Sequence, residues 1–131
     1  MTQNDLKELR VLNQRIRTIE ERIDRLRASV ERTSPNLDGM PHGGKQLDVM
    51  AEYAAKMDEC QRTLSELAEQ MKDEVLRIED EIRTLEPREQ MIIWARYVDG
   101  HSWKKIQREY HYSYIGCQKI HRKALDKLLK E

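Results

Sequence analysis

Long apolar runs are missing: nowhere in the 131 residues do apolar residues approach the roughly 20 in succession that span a bilayer. The first ten residues, Met1 to Arg10, also lack the apolar core of a secretory signal. Both absences predict a cytoplasmic protein with no membrane partner. Cysteine is scarce as well. The two present, Cys60 and Cys117, lie far apart on segments that read as helices, the pattern of reduced thiols and not of a disulfide framework. No Cys-x-x-Cys or His-x-x-x-His spacing accompanies His111, Cys117 and His121, so no metal site is expected. Phosphate-loop chemistry is absent too, because Gly39, Gly43 and Gly44 follow no strand and lack the Lys-Ser/Thr of a P-loop. Carboxylate groups such as Glu20 with Glu21, or Glu79 to Glu81, fall on solvated helix faces with no apolar pocket to shift a proton equilibrium. The chain is also too short for a Rossmann or barrel enzyme. No catalytic residue, no cofactor and no enzyme activity is expected.

What is present is charge, 37% of all residues, balanced at 24 basic and 24 acidic. The balance conceals an asymmetry. Residues 87–131 hold ten Lys and Arg against five Asp and Glu, a net +5, which leaves −5 on residues 1–86. A basic compact head of this size is the electrostatic footprint of a protein that meets nucleic acid, whereas an acidic arm repels it and favours protein partners.

The apolar residues are periodic. Leu9, Leu12, Ile16, Ile19, Ile23, Leu26 and Val30 alternate steps of three and four, a heptad seam that predicts a helix from about Asp5 to Arg32. Residues 33–46 break it with Ser34-Pro35-Asn36 and the run from Gly39 to Gly44, a connector rich in helix-ending residues. A second seam restarts at Leu47 and continues through Met50, Ala54, Met57, Gln61, Leu64, Ala68, Met71, Val75, Ile78, Ile82 and Leu85. Tyr53, Cys60 and Leu67 flank it and widen its apolar face. The simplest packing is an antiparallel helical hairpin over 1–86 in which Leu9 reaches only to about Ala68 or Met71. Val75, Ile78, Ile82 and Leu85 are then left without a partner from the first helix. Such a stripe must be covered by the head, by a second copy or by another protein, and a homodimer or higher oligomer through the arm is the expectation.

From Glu86 the punctuation changes. Pro87 and Glu89 suit the first turn of a short helix that stops at Asp99-Gly100, with Gly100 in a left-handed conformation. Ser102 caps a second helix, Trp103 to about Tyr110, and Ser113 caps a third, Tyr114 to about Leu129. Trp103, Ile106, Tyr110, Cys117, Ile120, Ala124, Leu125 and Leu128 point inward. The fold class is therefore all-α, a hairpin arm over 1–86 followed by a three-helix head over 87–131. Helix, short turn and capped helix with a basic outer face is the pattern of a helix-turn-helix reader of the DNA major groove.

The stretches Leu85-Glu86-Pro87-Arg88-Glu89, Arg96-Tyr97-Val98-Asp99-Gly100, Ser102-Trp103-Lys104-Lys105-Ile106, Tyr112-Ser113 and Lys123-Ala124-Leu125 with Leu128 resemble region four of bacterial sigma factors. Tyr112-Ser113-Tyr114 with Ile120-His121-Arg122-Lys123-Ala124-Leu125, on a helical arm with a Pro41-His42-Gly43-Gly44 loop, is similar to phage and prophage late-gene activators of the ArpU/RinA type. The resemblance implies a transcription regulator in a bacterial host cell that binds double-stranded promoter DNA and acts with RNA polymerase. It places Tyr114, Ile115, Gln118, Lys119 and Arg122 toward DNA. Chemistry then divides them: Gln118 suits an adenine edge, Lys119 guanine, and Tyr114 or Ile115 a thymine methyl, while Arg122, Lys123, Lys104 and Lys105 suit phosphates. The chain departs from sigma factors in having Tyr114, Ile115 and Gly116 where charged residues usually follow the capping serine. It also has nothing like the region that melts promoter DNA, which implies that it works beside polymerase. A second class stays open, a protein-interaction module whose helix-turn-helix is only a packing unit.

Overall fold

The computed structural model describes residues 1–33 and 43–129 of the chain. These residues form five α-helices and one π-helical segment: α1 Gln3–Thr33, α2 Gly43–Arg83, α3 Pro87–Ile93, the π segment Trp94–Val98, α4 Trp103–Tyr110 and α5 Tyr114–Leu128. No strand occurs among the described residues. No helix among them is long and apolar enough to cross a membrane. Most of the connector expected over 33–46 lies outside the described residues, and α2 begins earlier than Leu47, at Gly43.

The chain divides into two compact units, and the division is not the one expected at residue 86. One unit joins 1–14 to 69–131, and the other holds 15–68. Helix α1 begins earlier than Asp5, and the first unit includes its start, where Leu6, one turn ahead of the seam that begins at Leu9, is 4% exposed. The Asp5 carboxylate accepts hydrogen bonds from the backbone N–H and the hydroxyl of Thr2, which fixes this earlier start. Asp5 also accepts from the Arg77 guanidinium of α2 at 2.5 Å. Its carboxyl is held below the usual range, first by the Thr2 backbone N–H and then by Arg77.

This placement corrects the expectation of an uncovered stripe. Ile78, Ile82 and Leu85 are buried at 2%, 0% and 4% exposure, and Val75 is half-buried, within a unit made from one chain. The same unit buries Leu6, Leu9 and Leu12 of α1 and Ile92 and Ile93 of α3. The stripe is therefore part of a core and not a free face for a second copy. Where α2 ends, the Gln90 amide donates to the carbonyls of Leu85 and Arg83 and satisfies two of the acceptors that a helix terminus leaves open.

In the unit 15–68, Ile19, Ile23, Cys60 and Leu67 are buried. Leu26 and Val30 of α1 share a cavity of about 230 Å³ with Val49 and Tyr53 of α2. On α2 here Cys60 and Leu67 are buried and Tyr53, Met57 and Leu64 half-buried, with Ala54, Gln61 and Ala68 exposed. The expected seam is thus rotated by one residue. Met57 and Leu64 belong to both versions, and the helix turns Tyr, Cys and Leu inward in place of Ala, Gln and Ala, because Tyr and Leu present more apolar surface than Ala, and Cys is apolar where Gln is polar.

The head follows the expected order. Ile92, Ala95, Ile106 and Cys117 form its core, with Trp103, Tyr110, Tyr112 and Ile120 packed against it. The expected single first helix instead changes character at Trp94, where the ladder widens and the N–H of Asp99 reaches the carbonyl of Trp94. This segment is buried on two sides: Ala95 joins the core of the head, while Tyr97 lines a cavity of about 320 Å³ with Leu6, Arg10 and Leu125. The carbonyl of Tyr97 accepts a 2.6 Å hydrogen bond from the side-chain amide of Asn13.

Gly100 ends this helix with φ +70, and a Cβ there would meet the Asn13 side chain at 3.1 Å. Two independent constraints thus select glycine. Gly100→Ala is expected to lower unfolding free energy by about 2 kcal/mol, from the left-handed backbone alone. Chemical denaturation checks this. In an Asn13→Ala background, itself weakened by loss of the bond to Tyr97, Gly100→Ala should cost only the backbone part.

Candidate nucleic-acid interface

The two serines that open α4 and α5 do what their positions require. The Ser102 hydroxyl accepts from the Lys105 N–H at 3.2 Å, and the Ser113 hydroxyl from the Gly116 N–H at 3.0 Å. Between the helices His111 takes the left-handed conformation, φ 58, which makes the tight turn. With Ile106 and Cys117 locking the helices together, the outward faces follow from the 3.6-residue period. Cys117, Ala124 and Leu128 of α5 are buried, and Ile120 packs on the core. On the opposite side Ile115, Lys119 and Arg122 are exposed and Gln118 is half-buried. Tyr114 and Lys123 border that face and are exposed, as are Lys104 and Lys105 on the first turn of α4. Residues 114–123 contain no Asp or Glu.

Behind this face lies a polar and aromatic set that hydrophobic periodicity does not reveal. The Tyr97 hydroxyl lies 2.7 Å from Nε2 of His121, their rings stack at 5.7 Å, and Trp103 meets the His121 ring edge-on at 4.9 Å. The Arg96 guanidinium covers the Trp103 ring at 4.8 Å and donates to the His101 carbonyl. Burial, aided by the Arg96 charge, pushes the His121 imidazole down to about 4. Burial pushes the Tyr97 phenol up as well, so the hydrogen bond joins a protonated phenol to a neutral imidazole. His121 is therefore half-buried and engaged with its neighbours inside the head. It braces the back of α5 against the π segment and α4.

Glu89 is the second unanticipated residue. Only 2% exposed, it accepts at one oxygen from the Glu86 N–H at 3.0 Å and from the Lys127 ammonium at 2.7 Å. Burial raises its pKa, but Lys127, the Glu86 N–H and the nearby Lys123 charge outweigh that and hold it below the usual range. The pair ties the start of α3 to the end of α5. Burial also pushes up the Cys117 thiol, which keeps it protonated and unreactive. Among the described residues no cluster of three or more His, Cys, Asp or Glu is arranged to hold a metal ion.

These shifts set an acid limit. The imidazole of His121 has a folded pKa near 4 against 6.5 when exposed, so between those values the unfolded chain binds more protons. Its contribution to stability is complete above pH 6.5 and is lost as pH falls toward 4. Glu89 and Asp5, both lowered, add losses at still lower pH as their carboxylates protonate. Urea unfolding from pH 7 to 4 is expected to show declining stability. His121→Gln should flatten the upper part of that decline, and an unchanged slope would contradict the buried neutral imidazole.

No protein-family model, no curated protein and no solved structure matches the chain. What the α4–α5 face can do must be argued from its own chemistry.

Proposed function

We propose that the protein is a sequence-specific transcription regulator that binds double-stranded promoter DNA through α4 and α5. It acts beside RNA polymerase as an activator of the phage or prophage late-gene type. The observation that carries this reading is the outer face of α5. An acid-free stretch opens with exposed Tyr114 and Ile115, continues through Gln118, Lys119 and Arg122, and is held rigidly on its other side by Cys117 and Ala124. In a helix-turn-helix this face meets base edges, and the start of the preceding helix, here Lys104 and Lys105, meets backbone phosphates. The role beside polymerase rests on the resemblance of the head to region four of sigma factors, and the phage context on the resemblance to late-gene activators of the ArpU/RinA type. In this reading a long antiparallel hairpin of α1 and α2 forms the arm.

The test is selection of bound duplexes from a random pool by the full chain. An enriched motif is expected, and the symmetry and spacing of its half-sites would report how many copies bind. Absence of enrichment at every salt concentration would overturn the DNA reading and favour a protein-interaction module.

A further inference from the structure

Tyr114 and Ile115 are 56% and 67% exposed, the two large apolar side chains most open to water in the head. They are adjacent in the first turn of α5, directly after the capping Ser113, and neither joins the core of Ile92, Ala95, Ile106 and Cys117. Their surroundings are cationic: Lys119 and Arg122 stand on the same helix, and no carboxylate lies on residues 114–123. Such a surround fits a polyanion. On the reading of this face as a duplex reader, the first turn of the second helix lies against base edges. The only apolar group displayed in the major groove is the C5-methyl of thymine.

We propose that Ile115, with Tyr114 beside it, reads thymine through its methyl group. Methyl contact, more than hydrogen bonds from Gln118 or Lys119, then sets the base preference of this protein. Gln118 is already half-buried, which limits its reach, whereas Ile115 has no structural use for its exposed position. The ligand is thus a duplex with thymine at the positions facing the start of α5, and uracil in its place removes one apolar group without altering any hydrogen-bonding edge.

The experiment compares one duplex recovered by selection in three forms: with thymine, with uracil and with 5-bromouracil, whose bromine fills the volume of the methyl. Uracil is expected to weaken binding about fourfold for each methyl contacted, and 5-bromouracil to restore it. Ile115→Ala, a change at an exposed position, should still fold and should bind the thymine and uracil forms with nearly equal affinity. Equal binding of both forms by the natural chain overturns the proposal while leaving DNA binding intact. A thymine preference that survives both Ile115→Ala and Tyr114→Ala overturns it as well. If Ile115→Ala lowers the sedimenting mass of the free protein and uracil has no effect, the pair serves contact between copies and the proposal fails. An empty selection removes the DNA reading and this proposal together.

Discussion

Ile82→Asp is expected to unfold the unit that carries the head. Ile82 is fully buried, in the unit that also buries Leu9, Ile78 and Ile93. Truncating such a side chain costs about 2–5 kcal/mol. An aspartate in the same place adds the cost of burying a polar group without a partner, so a total loss of at least about 4 kcal/mol is expected. That is a large share of the 5–15 kcal/mol typical of a small domain (about 10 in the middle of the range). Circular dichroism under denaturant, with sedimentation velocity, decides the matter. Loss of cooperative unfolding places the stripe in the core of one chain. A stable, folded protein of lower mass would make it a contact between copies instead.

DNA affinity is expected to collapse with salt. Lys104, Lys105, Lys119, Arg122 and Lys123 are all exposed around the proposed face. Each phosphate they neutralise contributes a log–log slope of about −0.9, so four or five contacts give roughly −4 and an affinity loss of about 250-fold between 50 and 200 mM salt. Two variants divide the roles. Lys105→Ala should weaken binding to all duplexes about equally and make the slope shallower by about one. Lys119→Ala should relax sequence preference as well. Identical behaviour of the two would overturn this division of roles. A salt-independent affinity would exclude the phosphate contacts altogether.

The helices and their caps were legible in the sequence because each depends on residues close together in the chain. Ser102 and Ser113 act within their own first turns, and Gly100 is required by its own φ. The exposed positions of α5 followed from the 3.6-residue period once Cys117 and Ala124 were taken as inward. The register of α2 was less legible. Two stripes one residue apart both satisfy heptad spacing, and only the greater apolar surface of Tyr53, Cys60 and Leu67 over Ala54, Gln61 and Ala68 separates them. What could not be read were pairings between distant segments. Asn13 with Tyr97, Glu89 with Lys127 and Tyr97 with His121 join residues that no local pattern connects.

The union of residues 1–14 with 69–131 in one unit has a consequence for how this protein is made. The first turns of α1 leave the ribosome long before their packing partners exist. Leu6 and Asn13 must wait for the π segment to be synthesised, because it brings Tyr97, which lines a cavity with the one and accepts a hydrogen bond from the other. A gene fragment cut at codon 87 would yield a head stripped of the Asn13 amide that satisfies the Tyr97 carbonyl, and a fragment ending at codon 86 would lack Tyr97 itself. The smallest version fit for expression therefore draws on both ends of the gene, joined through the arm or by an engineered linker in its place.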